Sequence, residues 1–75
     1  MKAPKVITRL RTLREADPFE TQQSLADALG VSRQTIIAIE GGRYSPSLDL
    51  ALRIARHFRL AVEDVFSLDD SADNT

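Results

Sequence analysis

The sequence predicts an all-α domain of about five helices. Apolar residues recur at the three- and four-residue spacing of a helix over most of the chain. Ser, Thr, Pro and Gly stand where such segments should start and stop. No stretch alternates apolar and polar residues as a half-buried strand does. Seventy-five residues suffice for one small domain, expected over residues 1–68 with an acidic tail over 69–75.

Residues 1–5 are polar, include Pro4 and read as a frayed start. Val6, Ile7, Leu10 and Leu13 repeat at helical spacing with Arg9, Arg11 and Arg14 between them, so a first helix is expected over about Lys5 to Ala16. Asp17-Pro18 ends it, because proline disfavours the helical conformation in the residue before it. Phe19 is expected to tuck into the core from the loop. Thr21 is the N-cap of a second helix, where Leu25, Ala26 and Leu29 share a face. Ala26 is small where the second and third helices must approach. Gly30 supplies a left-handed C-terminal residue at little steric cost. Ser32 caps a third helix over about Arg33 to Glu40, with Ile36 and Ile39 inward and Arg33, Gln34, Ile37 and Ala38 more outward. Gly41-Gly42 stops it. After the loop Arg43-Tyr44-Ser45-Pro46, Ser47 caps a fourth helix. Leu48, Leu50, Ala51, Leu52, Ile54, Ala55 and Phe58 are too many for one narrow stripe, so this helix should be buried on two sides. Leu60-Ala61 leads to a short fifth helix, about Val62 to Ser67, whose Val62, Val65 and Phe66 close the core.

The hydrophobic fraction of 43% is that of a folded chain. The absence of cysteine excludes disulfides and thiolate metal sites. No apolar run approaches the ~18 residues of a membrane span, and the start lacks a signal-peptide core, so a cytoplasmic protein without membrane attachment is expected. A core this thin supplies about 3–5 kcal/mol net, so a partner subunit would help. The net charge of −1 hides an asymmetry. Residues 1–60 hold all ten Lys and Arg against six acids, a balance of +4, and residues 61–75 hold five acids and no base, a balance of −5. A basic body with an acidic tail is compatible with nucleic acid. His57 is the only histidine and lacks companion ligands, so it reads as a surface or interface residue. Asp49, Glu63 and Asp64 fall in first helical turns, where negative charge offsets the dipole. No nucleophile-base pair or phosphate-cradling glycine loop is present. No catalysis, metal, cofactor or small-molecule ligand is expected.

Thr21 to Gly42 thus forms two short helices joined by the tight turn Gly30-Val31-Ser32, the geometry of a helix-turn-helix whose second helix enters the DNA major groove. The run Gln22-(x2)-Leu25-Ala26-(x2)-Leu29-Gly30-Val31-Ser32-(x3)-Ile36-(x3)-Glu40-(x)-Gly42-Arg43-(x2)-Pro46-(x3)-Leu50 resembles the Cro/phage-repressor, or xenobiotic-response-element (XRE), type of helix-turn-helix regulator. The resemblance covers about Leu10 to Phe66. It implies a five-helix, lambda-repressor-like DNA-binding domain with the motif on helices two and three, acting as a dimer on a palindromic operator. It also implies that Glu40 pairs with an arginine of the first helix, Arg14 first and Arg11 second, as a structural brace. The chain departs from the family at Asp17–Glu20, about one residue longer than usual. Arg59 stands where related short members carry glycine, and Ala61 where Ser or Thr is common.

Residues at the N-terminus of a recognition helix reach base edges first. Arg33 is suited to guanine O6 and N7, and Gln34 to adenine N6 and N7. Ile37 and Ala38, one turn on, offer apolar surface to a thymine methyl. Gln22, at the start of the second helix, is placed to clasp a phosphate together with the helix's free N–H groups. Thr35, Arg43, Tyr44 and Ser45 flank the third helix and are expected to grip the backbone, although Tyr44 also suits a half-buried place under the fourth helix. Leu52, Phe58, Leu60, Val65, Phe66 and Leu68 are the candidate dimer surface. The function expected is a sequence-specific regulator of transcription, a repressor bound as a homodimer to double-stranded operator DNA. An antitoxin or restriction-system controller would use the same domain. A helical protein-interaction module without DNA binding is the rival from another class, favoured by the negative net charge.

Overall fold

The computed structural model describes residues 5–69. Of the expected frayed start over 1–5 and acidic tail over 69–75, residues 1–4 and 70–75 lie outside them, and Lys5 and Asp69 belong to strands instead. Strand β1 (Lys5–Thr8) leads into helices α1 (Leu10–Glu15), α2 (Gln22–Leu29), α3 (Arg33–Glu40), α4 (Leu48–Phe58) and α5 (Val62–Val65), and strand β2 (Phe66–Asp69) follows. The all-α expectation is therefore corrected: the domain is mostly helical, with five helices and a small sheet among the described residues.

The sheet is one antiparallel pair with Lys5 opposite Asp69, Val6 opposite Leu68, Ile7 opposite Ser67 and Thr8 opposite Phe66. Two expected helices are shortened by it. The first begins at Leu10 rather than Lys5, because Val6, Ile7 and Thr8 are β-branched and find a partner strand in residues 66–69. Thr8 also marks the new start, its hydroxyl accepting from the Leu10 N–H at 3.1 Å. The fifth ends at Val65, where Phe66 turns to an extended backbone at φ −125° and ψ 139°. The Arg9 N–H donates to the Val65 carbonyl at 2.8 Å, tying the two junctions together.

The helix ends follow local chemistry. Thr21 accepts from the Ser24 N–H, and the Ser24 hydroxyl accepts in return from the Thr21 N–H at 2.8 Å, a capping box. Ser32 accepts from Thr35 and Ser47 from Leu50. Ala61 has no hydroxyl to offer, and α5 is capped from the other side, by Asp64 accepting from the Ala61 N–H at 3.2 Å. Three helices end in the same way. The pairs Gly30 and Val31, Gly42 and Arg43, and Arg59 and Leu60 donate back to carbonyls of α2, α3 and α4, the pattern of a Schellman motif. The left-handed residue is Gly30 at φ 72°, Gly42 at φ 74° and, at the end of α4, Arg59 at φ 58°. A side chain in that region is disfavoured. Arg59→Gly is accordingly expected to stabilise the domain by about 0.5–1 kcal/mol, read as a rise of a few degrees in thermal melting.

The core is built from Leu10, Leu25, Ala26, Leu29, Ile36, Ile39, Leu50, Ile54, Ala55 and Val65, all buried, with Leu13, Val31, Phe58, Val62 and Phe66 packed against it. No buried residue among those described is polar or charged. Phe19 is not in this core: it is 89% exposed. The Asp17 carboxylate accepts from the Phe19 N–H at 2.9 Å, and the Glu20 N–H donates to the Asp17 carbonyl, a turn that aims the ring outward. Glu20 is the inward residue of that loop and meets His57 Nε2 on α4 at 2.9 Å. The burial of α4 on two sides is not met within the chain: Leu48 and Leu52 form an exposed apolar strip alongside its buried Leu50, Ala51, Ile54 and Ala55. Among the described residues, no helix is long and apolar enough to cross a membrane.

Candidate nucleic-acid interface

Helices α2 and α3 pack on each other more extensively than any other helix pair, and this packing fixes which way α3 faces. Ile36 and Ile39 are anchored in the core. At roughly 100° per residue, Arg33, Gln34, Ile37 and Ala38 then fall on the opposite side. Arg33 and Gln34 are exposed at the N-terminal end, and Ile37 and Ala38 are half-buried one turn later. The stripe therefore runs from donor-rich to apolar along α3. Donors and acceptors at one end suit base edges, and a short apolar surface suits a thymine methyl.

The flanking residues divide into two groups. Gln22 opens α2, and with Thr21, Gln23, Arg14, Arg33 and Glu20 it lines a surface notch at that helix end. The first N–H groups of a helix have no partner within it, so the notch combines a positive dipole end with two arginines. A second notch is lined by Arg11, Arg14, Gln22, Ile37, Glu40, Gly41 and Arg43. Arg43, Tyr44 and Ser45 are exposed in the loop after α3, with Tyr44 48% exposed. Thr35 is less available than its neighbours: its hydroxyl stands 2.9 Å from that of Ser32 in the cap.

Arg14 and Glu40 are brought together behind the stripe. Arg14 Nε donates to Glu40 Oε2 at 2.6 Å and Nη2 to Oε1 at 3.1 Å, a forked pair with side chains only 13% and 5% exposed. Gln22 Nε2 donates to the same Oε1 at 3.1 Å. Burial alone would raise the Glu40 carboxyl. The hydrogen bonds from Arg14 and Gln22 and the charges of Arg14 and Arg11 outweigh it and hold the carboxyl below its ordinary value of 4.5. The hydrogen bond to Glu40 likewise holds the Arg14 guanidinium above its ordinary value, against the opposing effect of burial. A carboxylate with a lowered folded pKa contributes stability above its unfolded pKa and loses it as pH falls through the folded value. Glu40→Gln is thus expected to cost about 1–3 kcal/mol at pH 7. In urea denaturation the gap to the wild type should narrow as the pH falls below the ordinary carboxyl value and close only once it passes below the lowered value of the folded state.

Two features of the site carry no signal in residue spacing. One is the Gln22–Glu40 bond, which only a donor-acceptor inventory of the folded pair suggests. The other is Arg11, which stands with Arg43 at the second notch and also pairs with Glu15 at 3.2 Å. Of the residues expected at a dimer surface, Leu52, Leu60 and Leu68 are exposed and Phe58 and Phe66 are half-buried. Val65 is 1% exposed and belongs to the chain's own core. Val6 and Ile7, expected inside a helix, are exposed on β1, Val6 directly opposite Leu68. Among the described residues, no three His, Asp or Glu stand together as a metal site.

The helix-turn-helix family profile matches residues 21–65. The chain is similar to an uncharacterized HTH-type transcriptional regulator of Methanocaldococcus jannaschii, 60% identical over 50 residues, 67% of this chain and 76% of the relative. One from Archaeoglobus fulgidus is 49% identical over 63 residues, 84% of this chain and 89% of the relative. One from Bacillus subtilis is 50% identical over 50 residues, 67% of this chain and 76% of the relative. The matched region contains all of α2, the turn, α3 and α4, and with these relatives it shows that the chain belongs to the XRE-type helix-turn-helix family of transcriptional regulators.

Proposed function

We propose that the protein is a transcriptional repressor that works in the cytoplasm, binding a palindromic operator as a homodimer and occluding the promoter. The observation that carries this reading is the outward stripe of α3, with exposed Arg33 and Gln34 at its start and Ile37 and Ala38 after them. Arg33 and Gln34 read base edges, and Ile37 and Ala38 meet thymine methyls. Gln22, Thr35, Arg43, Tyr44 and Ser45 hold the phosphates and set the register. Arg14 and Glu40 brace α3 against α1.

The dimer follows from the size of the reading surface and from the apolar surface left over. One α3 spans a single half-site. Exposed Leu52, Leu60 and Leu68, with half-buried Phe58 and Phe66, supply apolar surface for a second copy, and exposed Val6, paired with Leu68 across the sheet, adds to it. Val65 supports this surface from within rather than touching the partner. Two recognition helices in such a dimer meet half-sites about one helical turn, ~34–36 Å, apart.

Two substitutions separate reading from gripping. Gln34→Ala is expected to relax preference at one base pair of each half-site, a discrimination of about 1–3 kcal/mol. Arg43→Ala is expected to weaken binding to all sequences alike and to flatten its salt dependence. Both are read by fluorescence anisotropy on a panel of duplexes. An unchanged preference in Gln34→Ala would remove it from the base-reading set.

A further inference from the structure

We propose that His57 is a positioning residue for phosphate binding: it holds the Glu20 carboxylate away from the notch at the start of α2. The inference rests on the reading of Gln22 and that notch as a phosphate grip. Glu20 directly precedes the Thr21 cap of α2 and lines the notch with Arg14, Thr21, Gln22, Gln23 and Arg33. Among the described residues it is the one acid that lines it. A phosphate drawn to the helix end therefore meets a like charge at the rim. That charge already reaches the basic side of the notch. The hydrogen bond to Glu40 does most to hold the Arg14 guanidinium above its ordinary value, and the charge of Glu20 adds to it.

The carboxylate is taken up from the far side, by α4. Glu20 Oε2 accepts from His57 Nε2 at 2.9 Å, and the two side chains are only 14% and 28% exposed. A carboxylate only accepts, so Nε2 carries the proton. The imidazole stands edge-on to the Phe58 ring, with centroids 4.9 Å apart. It lines a third notch with Ala28, Leu29, Arg53 and Arg56, on the other side of the loop from the first. The Glu20 side chain has no second hydrogen bond or ion pair among the described residues. Released from His57, it is free to turn toward the cations that line the first notch, Arg14 and Arg33. There it would stand in the place of a phosphate and cancel the field that attracts one. His57 thus acts on phosphate binding through Glu20, without touching DNA.

The test measures the whole protein on one mixed-sequence duplex by fluorescence anisotropy, because a phosphate grip carries no base preference. Gln22→Ala is measured first and should weaken binding. If it does not, the phosphate grip falls and this proposal with it, a result seen before His57 is touched. His57→Phe keeps a ring and removes the donor. It is expected to weaken binding by about five-fold or more at low salt, with the deficit shrinking as salt screens the freed carboxylate. The double variant Glu20→Gln/His57→Phe removes the charge as well and should return to the affinity of the wild type. Thermal melting shows whether each variant is folded; if His57→Phe is not, His57→Ala takes its place in both measurements. Unchanged binding in the single variant overturns the proposal. A loss that Glu20→Gln leaves unrepaired, or that salt does not reduce, also overturns it, for the pair would then serve the fold alone.

Discussion

Raising the salt concentration from 50 to 200 mM is expected to weaken operator binding by about a thousand-fold. Arg33 stands at the first notch, and Arg11 and Arg43 line the second beside Ile37. A homodimer would bring two copies of this set, about six charges, against the duplex. Neutralising that many phosphates releases a matching number of counterions, and the slope of log affinity against log salt approaches −5. The chain's net charge of −1 would by itself predict no such dependence. The interface responds to its local field, and the acids that tip the total lie largely after residue 60. A flat response would favour the rival reading, a helical protein-interaction module. Titrations at four or five salt concentrations with one duplex distinguish the two.

Ile36→Ala is expected to leave the domain close to unfolded at 37 °C. Ile36 is completely buried and lies in the single core cluster of the described residues, together with Leu25, Ala26 and Ile39. Truncating such a side chain costs about 2–5 kcal/mol, the lost transfer energy plus the cavity left behind. A domain of this size holds only about 5 kcal/mol in all. The melting temperature should therefore fall by about 15 °C or more, monitored by circular dichroism. Its neighbour provides the contrast. Ile37 is half-buried on the outward face, so Ile37→Ala should cost far less stability. In α3, a single residue step, about 100° of rotation, separates a residue that holds the fold from one proposed to meet the groove.

Much of this organisation is legible in the sequence because it is local. Thr21, Ser32 and Ser47 cap the helices they precede, and Gly30 and Gly42 close two of them, since a cap needs only the residues within one turn. The direction of α3 follows from two isoleucines three residues apart. The sheet is not legible in this way. Val6, Ile7 and Thr8 fit the end of a helical pattern as well as a strand, and what decides between them is a partner some sixty residues later. Phe19 misleads for a different reason. Its apolar character suggests burial, and the turn set by Asp17 overrides it. At the site, the pairing of Glu40 with an arginine of α1 is what the family resemblance implies. That Gln22 shares this carboxylate, and that Arg33 leans on Gln22, depends on three helices meeting at one point. The expected dimer residues show the same limit, for helical spacing alone does not separate Val65, used up in the core, from Leu68, left at the surface.

The central claim is that α3 reads a specific operator and that a dimer presents it twice. Selection of the purified protein against random duplexes tests it most directly. Enrichment of a palindrome whose half-sites lie about one helical turn apart is expected. Repeating the selection with Gln34→Ala is expected to erase the preference at one symmetric pair of positions. Recovery of no consensus, or of the same consensus from Gln34→Ala, would contradict it.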